Sequence, residues 1–314
     1  MRIDVHAHMW SNEYLDLMQR FGKTDTDAQR KLGAGNTDAE IQARFALMDA
    51  AGVQMQIISA PPQSPFFEDQ ASAVAAARLV NEQYRELVRR WPQRFRTFAS
   101  LPLPHIDAAL SELDRAFDDH GVVGVAINTA ILGRSIADPR FAPLYEELNR
   151  RRSVLYVHPE GCGLRTALIR DHHMTWMVGA PLEDTVAIAH LIVYGIPSRY
   201  PDLKIICSHL GGAIPMLLQR MDDQVGWEMP SAPEKPSVAA RRMWYDTVGH
   251  GHRPALRAAV ETFGADRLVL GTDFPYESGE LFKEAVRYIG NAGLTPADAR
   301  QILDVTAATL LGLA

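Results

Sequence analysis

Short apolar runs rich in β-branched residues alternate with amphipathic stretches along the chain. RIDVHAH (2–8), VQMQIISA (53–60), RFRTFASLPL (94–103) and VVGVAINT (122–129) are followed by SVLYVH (153–158), KIICSH (204–209), MWYDTV (243–248) and RLVLGTD (267–273). Their continuous apolar character is that of parallel strands covered on both faces. Helix patterns lie between them. One over 38–51 opens on a capping box at Thr37 and Glu40 and stops at Gly52. Another over 68–90 is closed by Trp91-Pro92, and 107–121 ends on Gly121, a signal for a helix C-terminus. Further helices are expected at 138–152, 181–195, 212–225, 253–264 and 280–290, with an extra one at 295–304.

Eight strands, each followed by a helix, predict an α/β fold of the closed (β/α)8 TIM-barrel type. An open doubly wound sheet with a small second domain is the alternative. No low-complexity linker divides the 314 residues, so one domain over 1–314 is expected. Two stretches read as insertions: 11–37 after the first strand, and the proline-rich 228–240 before the seventh.

Composition narrows the function classes. With 47% hydrophobic and 22% charged residues, the chain has the makings of a soluble globular core. A net charge of −6, with no basic run longer than Arg150–Arg152, argues against nucleic acid or an anionic membrane as partner. The run 185–197 is too short for a membrane span and carries His190. The N-terminus lacks a secretory pattern, because Asp4 and His6 interrupt it. Cys162 and Cys207 are far apart and form no CxxC, so a reducing cytoplasm is the expected setting.

Barrel chemistry collects at the C-terminal ends of strands. The first strand ends in His6-Ala7-His8, whose imidazoles share a face because side chains alternate along a strand. The fifth ends at His158, the sixth at His209 and the eighth at Asp273. Each alone has a bland reading: a hydrogen-bonded structural histidine, or an aspartate capping a turn. With only 11 histidines in the chain, their joint placement at one barrel mouth points instead to a divalent metal ion. The expected shell is His6, His8, His158 and Asp273, with His209 a further ligand or a base. Zn2+ is the first choice for this N/O donor set, and Mn2+, Co2+ or Fe2+ also suit it.

These residues resemble the amidohydrolase superfamily. RIDVHAH, MDAAGV, YVHP, LKIICSHLGG and DRLVLGTDFPY are similar to the branch containing α-amino-β-carboxymuconate-ε-semialdehyde decarboxylase and related non-oxidative decarboxylases. The resemblance implies His6, His8, His158 and Asp273 as metal ligands, with His209 helping to deprotonate a metal-bound water. Two-metal members carry a carboxylated lysine at the end of the fourth strand. Here that strand ends AINT, so one ion per chain is implied. Arg220 matches a helix arginine that reaches a substrate carboxylate across a dimer interface, which implies a homodimer. A plain ion pair with Asp222 or Asp223 is the competing reading. The branch member also places an arginine in the insertion after the first strand. The chain offers AQRKLGAGN there, with Arg30 or Lys31 as candidates that no motif aligns, while Arg44 is read as tying down MDAAG, so the substrate is expected to differ from that semialdehyde. His250 and His252, just past the seventh strand, are candidates to touch substrate, as are Glu160 and the pair His172-His173.

Together these features predict a metal-dependent non-oxidative decarboxylase acting on a small unsaturated or aromatic carboxylic acid, with His209 and Asp273 managing the proton. A hydrolase of a lactone or amide, or a hydratase of an unsaturated diacid, would use the same parts, and a non-catalytic metal-binding protein ranks third.

Overall fold

In the computed structural model, which describes residues 1–118 and 121–313, the apolar runs form eight parallel strands. They are β1 (Ile3–His8), β2 (Met55–Ser59), β3 (Phe95–Ala99), β4 (Val122–Asn128), β5 (Val154–His158), β6 (Lys204–Cys207), β7 (Trp244–Asp246) and β8 (Leu268–Val269). Each pairs with the next in chain order. The seam between β8 and β1 is closed by backbone hydrogen bonds from Val5 N to Leu270 O (2.9 Å), Asp273 N to His6 O (2.9 Å) and His8 N to Phe274 O (2.8 Å). The ring is thus a closed barrel, and the open sheet is set aside.

Around it run α1 (Asn12–Arg20), α2 (Asp38–Ala51), α3 (Gln70–Arg90), α4 (Ile106–Phe117), α5 (Ala142–Arg150), α6 (Ala180–Val193), α7 (Ile214–Glu228), α8 (Arg253–Phe263) and α9 (Glu280–Gly290). The capping box expected at Thr37 and Glu40 is formed, and Gly52 ends α2 in the left-handed conformation (φ 71°).

Alternation along the strands sorts side chains into two apolar layers. Ile3, Val5, Ile57, Phe98, Tyr156 and Ile206 fill the barrel interior, with Ala307 and Leu310 of the C-terminal turns closing one end. Ala7, Ile58, Leu155, Val157 and Ile205 face the helices. β1 is bulged: Asp4 pairs with Gln56 and Ala7 with Ile58, so two residues, Val5 and His6, stand opposite one. Val5 therefore packs in the interior while His6, the next residue, also turns inward beside Tyr156, at a ring separation of 5.5 Å.

Several boundaries differ from the sequence expectation. The helix expected over 107–121 stops at Phe117, with Asp118 as its cap. The expected span includes 119–120, which lie outside the described residues. Gly121 is no helix cap, since its carbonyl already accepts from Thr97 N on β3 (3.0 Å). Regular pairing in β7 and β8 is shorter than expected, and beyond β8 the chain turns at the left-handed Asp273 (φ 58°) where it joins the mouth. The helix expected from 181 is preceded by a π-turn, so one helical run covers Thr175–Val193. That run is long and apolar enough to cross a membrane by length and composition, yet Ile188, Leu191 and Ile192 are buried in the barrel's outer layer. In the second insertion α7 runs on to Glu228, and Pro236–Ala240 forms a short helix fixed by Ser237 donating to Asp222 (2.6 Å).

Gly271 sits where β8 passes under the site. A Cβ there would lie 2.9 Å from the Cβ atoms of both His6 and Asp246, closer than packed carbons tolerate. Gly271→Ala is therefore expected to destabilise the protein by about 1–3 kcal/mol through overpacking. Denaturant unfolding checks this, and an unchanged midpoint would show that the two strands yield freely.

Candidate active site

The strand ends bring His6, His8, His158 and Asp273 together, all buried, with their ligating atoms within 4.8 Å of one another. Hydrogen bonds at the far side of each imidazole set which nitrogen faces the cluster. His6 Nδ1 donates to Asp246 Oδ2 (2.8 Å) and His158 Nδ1 to the Pro159 carbonyl (2.9 Å). His8 Nδ1 lies 3.3 Å from Ser59 Oγ, whose own hydrogen goes to the Ala7 carbonyl (3.4 Å). With every Nδ1 so engaged, three Nε2 lone pairs are left to converge, the arrangement by which outer partners orient metal-bound histidines.

The carboxylate fits the same purpose. Asp273 Oδ1 is 3.0 Å from His6 Nε2 and 3.3 Å from His8 Nε2, yet no hydrogen bond satisfies this buried oxygen. Burial opposes charge on His6, but Asp273 and Asp246 beside it push its pKa up to about 9. Burial takes His8 down to about 4 and His158 well below the usual value, so both are neutral imidazoles suited to ligation. Burial also opposes charge on Asp273, yet the charge on His6 and the close approach of the neighbouring histidines hold its carboxyl well below the usual range. A divalent cation among these donors would meet the demand for positive charge that a proton on His6 otherwise answers. Three imidazole nitrogens and one carboxylate thus make a group that can hold one metal ion.

His209 stands apart from this group, in a left-handed conformation (φ 51°) after β6. Its Nδ1 donates to Asp184 Oδ2 (2.8 Å), and its Nε2 is 3.7 Å from Asp273 Oδ2. Burial opposes its protonation, but Asp184 and then Asp273 raise its pKa well above the usual value. Asp184 is held in turn by Ser208 Oγ (2.8 Å). Asp246 binds the mouth together, accepting from His6 Nδ1, from Tyr156 OH (3.0 Å) and from the backbone N of His209 (2.9 Å) and Val248 (3.0 Å).

A cavity of about 780 Å³ opens over these groups, lined by His158, His209, Asp273, His250, Trp176 and Tyr276 among others. Trp176 stacks on Tyr276 (ring separation 5.9 Å, 29°) and covers Gly161, where a Cβ would come within 2.4 Å of the indole. Tyr276 OH accepts from Gln29 of the first insertion (3.0 Å). The loop after β5 is clasped by buried Glu183, which accepts from the backbone N of Glu160 (2.8 Å), Gly161 (3.0 Å) and Gly163 (2.7 Å).

The other sequence candidates fall at different distances from this centre. His250 and His252 line the cavity. Glu160 does not stand among the lining residues, and its carboxylate is paired with Arg165 (2.9 Å). His172 and His173 are exposed on the same loop. Arg30 is engaged by Asp16 (2.7 Å), and Lys31 is exposed. Arg44 does not tie down MDAAG. It is buried against the barrel, donating to the His8 carbonyl (2.6 Å) and lying over the Phe274 ring (4.4 Å). Arg220 lies on the exposed face of α7, away from the cavity, beside a groove that Val186 and Leu217 also line. The ion pair considered for it is not formed: Asp222 takes Ser237, and Asp223 takes Gln219 (3.0 Å). Sequence reasoning missed Asp184, Asp246, Tyr276 and Glu277. Only Asp246 carried a usable signal, because alternation from Trp244 in WYD turns it inward.

The family model described as Amidohydrolase matches residues 3–313. A 2-amino-3-carboxymuconate-6-semialdehyde decarboxylase of Dictyostelium discoideum is 25% identical over 304 residues, covering 90% of this chain and 83% of the relative. A gamma-resorcylate decarboxylase of Rhizobium radiobacter is 30% identical over 260 residues, covering 75% and 76%. The crystal structure of a dihydroxybenzoic acid decarboxylase from Polaromonas sp. JS666, with bound manganese and the inhibitor 2-nitroresorcinol, superposes with a TM-score of 0.85. It is 26% identical, with 99% of this chain and 97% of that one covered.

Titrating chelator-stripped protein with Mn2+ or Zn2+ is expected to give one ion per chain. An ion at a hundredfold excess over its dissociation constant should add about 2.7 kcal/mol of stability. His158→Ala should abolish both effects. Two ions per chain, or stabilisation that survives His158→Ala, would refute the four-residue site.

Proposed function

The chain belongs to the amidohydrolase family, and from that membership together with the site we infer a metal-dependent carboxy-lyase. It is a non-oxidative decarboxylase of an unsaturated or aromatic carboxylic acid, the reaction class named for its relatives. The observation that carries this reading is the Asp184–His209–Asp273 series, which opens into an apolar cavity beside the four-residue cluster.

We assign His6, His8, His158 and Asp273 as the metal ligands. Zn2+ is proposed on the strength of three imidazole donors, with Mn2+, the ion in the Polaromonas structure, as the competitor. When bound, the ion supplies Lewis-acid polarisation of the substrate's oxygens. The protein's own residues do the rest. Trp176 and Tyr276 offer planar faces to a planar acid. His209, kept protonated by Asp184, delivers its Nε2 proton to the carbon bearing the carboxyl group, with Asp273 orienting it. The carbon–carbon bond then breaks, its electron pair returns to the unsaturated system, CO2 departs and His209 regains a proton from solvent. The apolar walls keep water away from the developing negative charge and strengthen the electrostatics that stabilise it.

Arg220 supports a homodimer in which it would enter the partner's site, because it stands exposed beside a surface that includes Met216, Leu217, Val186 and Met177. His250 is assigned to substrate binding. Glu160 is kept only as a support of the loop after β5. The match over 3–313 supports one domain, and two free thiols accord with a reducing cytoplasm.

Metal-loaded protein given a panel of hydroxybenzoates and muconate-type acids should release CO2. His209→Ala should lower kcat by about 10²–10⁴ while keeping its metal. Hydrolysis of a lactone without CO2 release, or full turnover by His209→Ala, would overturn the assignment. In addition, mixed dimers of Arg220→Ala with His158→Ala should regain activity that neither homodimer has, and no recovery would remove the cross-subunit role.

A further inference from the structure

Glu277 is almost fully buried (2% exposed), and no hydrogen bond satisfies its Oε1. Burial, and then the charge of Asp273, push its carboxyl up to about 7. A buried carboxyl group left without a hydrogen bond costs stability, about 1–3 kcal/mol or more. None of the steps above uses it. Among the described residues its ion-pair partner is His250, whose Nδ1 stands 3.3 Å from Oε1.

His250 is placed at some cost. It sits between Gly249 and Gly251 with φ 48°, a left-handed conformation that a non-glycine side chain holds only when its surroundings require it. Gly249 permits the turn because a Cβ there would meet Leu210 at 2.8 Å, and Gly251 is itself left-handed (φ 71°). The result is an imidazole that is 72% exposed yet lines the same cavity as His209 and Asp273. Its Nδ1 lies 3.3 Å from Glu277 Oε1, close enough for the charge to hold the ring though without the alignment of a hydrogen bond, and Nε2 is the ring nitrogen with no such neighbour.

Resting on the decarboxylase reading, we propose that Glu277 is a positioning residue for His250. His250 Nε2 then hydrogen-bonds a second hydroxyl or amino substituent of the substrate, distinct from the groups gathered at the four-residue cluster. The enzyme therefore selects acids carrying such a substituent. A site built around a hydrogen bond rejects the analogue that lacks it, because its own polar group is then left without a partner. The preference should be modest here, since water can reach His250.

The test is equilibrium binding to metal-loaded protein, using 2-hydroxybenzoate and the 2,3-, 2,4-, 2,5- and 2,6-dihydroxybenzoates as probes. One dihydroxy isomer should bind about tenfold or more tighter than 2-hydroxybenzoate. His250→Ala should erase that gain, so that the preferred dihydroxy isomer binds no better than 2-hydroxybenzoate, while the protein keeps its metal. Glu277→Gln should reduce the gain in the wild-type background and cost nothing further in His250→Ala, a non-additivity that a general loss of structure would not produce. The proposal falls if the gain persists in His250→Ala, if no dihydroxy isomer exceeds 2-hydroxybenzoate, or if Glu277→Gln acts equally in both backgrounds. Binding with this discrimination but no CO2 release would instead fault the decarboxylase assignment. Failure of every probe to bind would remove both.

Discussion

The arrangement at the barrel mouth depends on keeping one buried carboxylate, Asp246, fully partnered. Its two oxygens take the His6 ring, the Tyr156 hydroxyl and two backbone amides, from His209 and Val248. A buried charge is tolerated only when hydrogen bonds replace the water it has lost. Those bonds in turn fix the tautomer of His6, the position of His209 and the course of the chain beyond β7. The metal cluster and the proton-handling histidine are thus held by a common group, although they are assigned different work.

Around that anchor the fold departs from regular geometry where chemistry is needed. The bulge in β1 turns two consecutive residues inward, so that Val5 serves the core and His6 the site. His209, His250 and Asp273 all adopt left-handed backbone conformations, and glycine stands at position 271 because no Cβ fits between His6 and Asp246. Below the mouth, Asp4 accepts from Thr272 and Gln56 (2.6 and 2.8 Å), tying β1 to the β8 segment and to β2. Side chains held on strand ends and braced in this way have their spacing set by packing and hydrogen bonds within the fold.

Much of this was legible in the sequence because strand ends and side-chain alternation are local properties. Eight apolar runs gave the barrel, and the terminal residue of four of them gave His8, His158, His209 and Asp273, with His6 two places before the first. What stayed hidden is set by tertiary approach. Asp184 lies on a helix whose apolar pattern conceals a carboxylate aimed at His209, and Glu277 follows a turn that no periodicity describes. Arg44 is expected from its helix to tie down MDAAG, but it is the His8 carbonyl and the Phe274 ring, distant in sequence, that hold it. Glu160 looked available until the loop's own Arg165 took it. The helix expected to end at Gly121 was misplaced because a glycine beginning a strand reads the same as one ending a helix.

The seam between β1 and the segment 270–274 has a temporal side. Asp4 and Thr272, joined across it, are 268 residues apart in sequence. A chain made from its N-terminus has its first strand long before the strand that must lie beside it. Until 270–274 arrives, His6 and His8 lack Asp273, and the edge of β1 has no neighbour on that side. Such distant pairing is slow to form and leaves apolar edge exposed meanwhile. The site is therefore completed only when the ring closes, and by the same bonds, so a partly made barrel has neither a finished wall nor a finished metal pocket.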